Sequence, residues 1–191
     1  MCVAGAHQPR AAAPSLPAVG ANKVIHYLAN AKETPVEHYI LVRPANMKYM
    51  LVNVTGEERR IIRDYVEQGR GAEMLPFPFM GWAPMVAATA WQWLWKNPLD
   101  NVHSDPEGDF SEVARIRQTG ALIIGTYDRF SYGEPRAFIE LINAHTRRPE
   151  ANRVIFVPGT GHVYTEREQM LADILLGLAR GWEAAPPKAG T

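Results

Sequence analysis

Three short, almost wholly apolar segments constrain this chain more than anything else in it. They are His38–Val42 (HYILV), residues 121–125 (ALIIG) and residues 154–157 (VIFV). None alternates polar with apolar positions. A strand that is apolar at every position buries both faces, as in a parallel sheet covered by helices on either side. Helical patterns lie before, between and after these runs. Residues 22–30 precede the first. Residues 57–68 follow Thr55 and Glu58, which have capping-box spacing. Residues 135–147 begin with proline, a favoured first-turn residue. In the last helix Met170, Leu171, Ile174, Leu175 and Leu178 mark one face, Thr165 and Glu168 form a second capping-box pair, and Gly181 is the expected C-cap. Strands alternating with helices predict an α/β domain.

Residues 44–120 contain no good strand. They include the Pro- and aromatic-rich MLPFPFMGWAP and then WQWLWKNPL. A long, mainly helical excursion between two strands reads as an inserted lid. The expected organisation is a disordered Ala/Pro-rich leader over residues 1–19, an α/β domain over 20–182 with a lid at about 46–118, and a flexible tail over 183–191. The 191 residues are enough for one domain with a real core.

Lys plus Arg and Asp plus Glu both number 20. A chain of zero formal charge has no global field to draw nucleic acid or an anionic membrane toward it, so neither is an expected partner. Cys2 is the only cysteine, which excludes an internal disulfide framework and a cysteine-based metal site. No run is long and apolar enough to span a bilayer, and the N-terminus lacks the pattern of a signal peptide. The expected compartment is cytoplasmic, and no cofactor or metal is expected.

Two places carry the chemistry. In GTYDRF, Asp128 stands just past the carboxyl end of a buried strand, where functional residues of parallel sheets gather. On position alone it is equally a loop aspartate capping a turn. In VIFVPGTGHVYTEREQ, a strand runs into Pro-Gly-Thr-Gly and then His162, ahead of a helix. The glycines permit a sharp bend and keep bulk from the imidazole, and a histidine suits a general base near neutral pH. One helix and one strand separate Asp128 from His162. That spacing puts both residues at the same edge of adjacent parallel strands, where the carboxylate can hold the imidazole's tautomer.

With these residues in view, "ALIIGTYDRF … VIFVPGTGHVYTEREQMLADILLGLARGW" resembles the acid and histidine segments of α/β-hydrolases, whose triad runs Ser, Asp, His along the chain. "GANKVIHYLANAKETPVEHYILVRPA" is similar to the helix and strand that follow the nucleophile elbow of that fold. "YVEQGRGAEMLPFPFMGWAPMVAATAWQWLW" resembles the lid of a branch that includes fungal siderophore esterases. The likeness covers about residues 20–182. It implies an incomplete α/β-hydrolase fold, with parallel strands, helices on both faces and a helical lid. It further implies hydrolysis of an ester or related acyl bond, with Asp128 and His162 as inherited triad members and a small acyl or ester compound as substrate.

The same comparison exposes a gap. In that branch Gly-His-Ser-Leu-Gly precedes Ala-Asn-Lys, whereas this chain has Leu16, Pro17, Ala18, Val19 and Gly20 before Ala21. Ala18 stands where the serine belongs, and no Gly-x-Ser-x-Gly occurs anywhere. Ser15, flanked by prolines, and the isolated Cys2 are poor replacements. The expectation is a truncated hydrolase without its nucleophile and without esterase activity of its own, since losing a triad nucleophile costs about a millionfold in turnover. The alternative is a non-catalytic binding or interaction module built on the same fold. Truncation would also leave His38–Val42 as an unpaired apolar edge open to self-association.

The remaining features read mostly as structure. Trp91 and Trp95 share a helix face; packing between lid and body is favoured over an aromatic wall at the substrate. Met47, Met50, Met74, Met80 and Met85 are gap-fillers or pocket lining. Asp105, Glu107 and Asp109, with Pro106 and Gly108 between them, read as a solvated loop; a calcium site is the weaker alternative, because the spacing fails the full calcium-loop pattern.

Overall fold

A computed structural model describes residues 2–3 and 19–184. Ala18, Ser15 and most of the expected leader and tail lie outside the described residues. The chain divides into two compact units, one formed by Met47–Asp100 and the other by the residues on either side of it.

The larger unit is built on a sheet of order β1-β2-β3-β4: β1 (Cys2–Val3), β2 (His38–Val42), β3 (Thr119–Gly125) and β4 (Arg153–Val157). β2, β3 and β4 are parallel, in registers that run from His38↔Thr119 to Val42↔Ile123 and from Ala121↔Arg153 to Gly125↔Val157. β1 pairs antiparallel with His38 and Tyr39, so it covers the first two residues of the strand edge expected above to be unpaired. Tyr39, Ile40 and Leu41 are fully buried.

In β2 and β3 the unbroken apolar runs have the predicted cause, burial on both faces, whereas β4, at the edge of the sheet, is fully buried at Val157 alone. Tyr39, Leu41, Leu122, Ile124, Val154 and Phe156 face one layer. There they meet α1 (Gly20–Asn30), α5 (Ser111–Arg115) and α6 (Pro135–Ala144) through Ile25, Leu28, Val113, Phe138, Ile139 and Ile142. Ile40, Ala121, Ile123, Ile155 and Val157 face the other, where α7 (Glu168–Glu183) supplies Leu171, Ile174, Leu175, Leu178 and Trp182. Successive residues of each strand thus enter opposite cores. Among the described residues no helix is long and apolar enough to cross a membrane.

α7 departs from its sequence expectation in three respects. Its N-cap is Arg167, which caps no N–H with its side chain, so Thr165 and Glu168 form no capping box. Glu166 has a φ of +61°, which turns the chain between the two residues. Gly181 lies inside the helix, which continues to Glu183, and Met170 is largely exposed.

Met47–Asp100 contains α2 (Met47–Met50), α3 (Gly56–Glu67) and α4 (Ala87–Trp95). Here the capping box does form: Thr55 Oγ1 accepts from the Glu58 N–H, and the Glu58 carboxylate accepts from the Thr55 N–H at 2.7 Å. Ile62 of α3 and Ala87 and Ala90 of α4 share a core with Leu51, Val54, Leu75 and Phe79. Within Met47–Asp100 the isolated bridges Met74↔Val86 and Phe79↔Ala83 form, and β3 begins at Thr119, two residues inside the stretch expected to lack a strand.

Candidate functional site

The loops that leave β3 and β4 are fastened to each other. The Thr126 N–H donates to the Val157 carbonyl, the Tyr127 N–H to the Thr160 carbonyl, and the Gly159 N–H to Thr126 Oγ1. Gly125 permits this approach: a Cβ there would lie 2.6 Å from the Thr160 carbonyl oxygen and 2.7 Å from that of Gly161. Gly159, with a φ of +68°, makes the bend after β4 in a region other residues enter at a cost.

Asp128 sits where these loops converge. One carboxylate oxygen accepts the Phe130 N–H at 2.9 Å, capping a short 3-10 turn over Arg129–Ser131. The carboxylate also receives His162 Nδ1, at 2.9 and 3.0 Å from its two oxygens. The Asp128 carboxylate thus takes two donors, an N–H of its own turn and the ring of His162. Both residues are buried, at 1% exposure for Asp128 and 9% for His162. A carboxylate only accepts, so Nδ1 is the donor of this bond, and in the neutral form of the ring Nε2 is the acceptor. Nε2 is buried without a hydrogen-bond partner among the described residues. Leaving such an atom unpaired costs about 1–3 kcal/mol. The Phe130 ring lies 4.2 Å from the imidazole, centroid to centroid.

Three further residues, absent from the sequence expectation, enclose this pair. Arg43 directly follows β2 and donates through Nη1 to the His162 carbonyl at 3.0 Å. Asn46 donates its backbone N–H to the Phe130 carbonyl. Tyr164 is buried and donates its hydroxyl to the Ile123 carbonyl. Burial first, and the Asp128 charge second, push the Tyr164 phenol above its usual range, so it stays a neutral donor. A signal for Arg43 was present: it stands one residue beyond a buried strand, as Asp128 stands three beyond another.

None of the serines in the described region bonds His162. Ser131 Oγ donates to backbone carbonyls of its own turn, and Ser104 Oγ accepts from Asn46 Nδ2. The backbone N–H of Ser111 is held by Asp109. Trp91 and Trp95 belong to Met47–Asp100, where their rings lie 6.1 Å apart and take Lys96 and Arg63 on their faces. A surface cleft of about 490 Å³ is lined by Pro158, Gly159, Arg167 and Met170, and includes neither Asp128 nor His162.

No family model and no curated protein matches the sequence. Solved structures do match the fold. A hypothetical protein from Pseudomonas aeruginosa aligns at a TM-score of 0.53 and 15% identity, over 84% of this chain and 57% of its own. E-2-(acetamidomethylene)succinate hydrolase aligns at 0.51 and 12% identity, over 86% of this chain and 65% of its own. Carboxylesterase CesB from Bacillus subtilis aligns at 0.46 and 16%, over 86% and 58%. The chain thus spans less than two thirds of each of these structures. The likeness is one of fold: the parallel sheet with helices on both faces is part of an α/β-hydrolase architecture.

Proposed function

We propose that the chain carries the acid and base of an acyl-hydrolase site, with Asp128 orienting His162 and His162 Nε2 acting as general base. The observation that carries this reading is the buried pair itself, with both carboxylate oxygens within 3.0 Å of Nδ1 and Nε2 left unpaired among the described residues. In such a site Nε2 takes the proton of an attacking hydroxyl. Asp128 stabilises the resulting imidazolium, and the imidazolium returns the proton to the leaving group. The substrate class is a carboxylic ester or related acyl compound, in keeping with the hydrolase among the structures of like fold. The resemblance of residues 65–95 to lids of fungal siderophore esterases is the ground for considering that branch.

The reaction needs a nucleophile that this sequence does not carry at the elbow position, where Ala18 stands. The unmodified chain is therefore expected to resist fluorophosphonate labelling and to leave p-nitrophenyl esters intact. Rebuilding the elbow tests the base directly, through Leu16→Gly, Pro17→His, Ala18→Ser and Val19→Leu in one variant. Fluorophosphonate labelling that appears in this variant and vanishes on adding His162→Ala supports the reading. Labelling that persists without His162, or never appears in a folded variant, favours the binding module instead.

A further inference from the structure

We infer that Arg43 is a positioning residue for His162, acting through the backbone carbonyl of the histidine rather than through its ring. The inference rests on the acid–base reading of the Asp128–His162 pair and adds the device that holds the imidazole in register with the carboxylate. His162 is anchored at one end by its Nδ1 bond to Asp128. The loop is tied on either side at Thr160 and Tyr164, but these bonds do not reach the peptide of His162 itself. The Arg43 guanidinium supplies that anchor at 3.0 Å, reaching across from the strand on the far side of β3.

The backbone at Arg43 is arranged for this purpose. Its φ is +51°, a conformation that side-chain-bearing residues seldom adopt. Even so, its N–H still donates to the Ile123 carbonyl at 2.8 Å, so the chain turns out of β2 without leaving that donor unpaired. The Tyr164 hydroxyl reaches the same carbonyl from the His162 loop. Ile123 O thereby joins the segments after β2 and β4 at the middle strand. Tyr132, Tyr164 and Glu166 also have positive φ, so four of the five such non-glycine residues described lie in the segments that follow β2, β3 and β4. Strain concentrated in this way marks a place whose geometry the surrounding structure enforces.

The test uses the intact chain and the ring proton on His162 Nδ1, assigned by its absence in His162→Gln. In the unmodified protein this proton is expected at low field and slow to exchange, and its absence there would overturn the Asp128–His162 pairing itself. With the proton present, Arg43→Met is expected to speed its exchange about tenfold or more, the loss corresponding to one charge-assisted hydrogen bond. The Trp182 indole signal, which reports the stacking of Trp182 on His38, should stay put. Arg43→Lys, which keeps one cationic donor, should recover part of the protection. Unchanged exchange in a folded Arg43→Met or Arg43→Gln variant overturns the positioning role while leaving the pairing intact. Global unfolding of all three variants overturns it too, because Arg43 would then serve the fold rather than the site.

Discussion

The Asp128 carboxylate and the His162 imidazole stand 34 residues apart in the chain and meet at 2.9 Å. Strand register is the cause. Gly125 pairs with Val157 at the last rung of the β3–β4 ladder, and the loops beyond remain bonded to each other. The carboxylate reaches the imidazole because two parallel strands end together.

Removing the carboxylate should be costly. Asp128 receives both His162 Nδ1 and the Phe130 N–H. Asp128→Ala is expected to lower stability by about 2–3 kcal/mol, and Asp128→Asn, which keeps one acceptor oxygen, by roughly half as much. Urea unfolding of both variants measures this. Equal losses would show that the single acceptor oxygen kept by Asn contributes nothing and that the charge and second oxygen carry the whole effect.

Glycine should be required at one position and dispensable at another. At Gly125 a Cβ meets backbone oxygens of the His162 loop, which cannot swing aside as a side chain can. Gly125→Ala is expected to destabilise by about 1–3 kcal/mol. Gly177 lies inside α7, and a Cβ there would meet nothing within 4 Å, so Gly177→Ala should stabilise by about 0.5–1 kcal/mol. Thermal unfolding of the pair checks the contrast in sign.

The capping box of α3 gives a prediction confined to Met47–Asp100. Thr55→Ala removes the acceptor of the Glu58 N–H and is expected to cost about 1 kcal/mol, whereas Thr55→Ser should be close to neutral. Near-ultraviolet circular dichroism during denaturation reads the effect, since Trp82, Trp91, Trp93 and Trp95 all lie in this unit.

A pH dependence follows from Glu112, which bridges α1 and α5. Burial opposes its charge, but hydrogen bonds from Asn101, Asn30 and His26 outweigh that effect and hold its carboxyl below the usual range. A folded-state pKa below the unfolded value makes stability present above the unfolded pKa, about 4.3, and lost as pH falls through the folded one. Denaturation midpoints of the natural chain should therefore drop more steeply in that acid range than those of Glu112→Gln. Parallel curves would overturn the linkage.

Much of the architecture was legible in local chemistry. The runs around Ile40 and Ile123 announced strands with two buried faces, the run around Ile155 proved a partly buried edge strand, and the Thr55–Glu58 spacing announced a helix start that formed as read. Thr165 and Glu168 had the same spacing and formed no cap, because the left-handed turn at Glu166 breaks the helix between them and makes Arg167 the N-cap of α7. A spacing rule holds only where the backbone between its two residues stays helical.

The sequence by itself determined the strand runs and the expected positions of Asp128 and His162 beyond them. These depend on residue type and local order alone. Tertiary structure decided that the carboxylate serves the Phe130 N–H and His162 together, that β1 covers part of β2, and that Arg43 holds the His162 carbonyl. Each of these is a contact between residues distant in the chain or a division of one acceptor between two donors. Side-chain reach and strand register set such contacts, and neither quantity exists until the chain has folded.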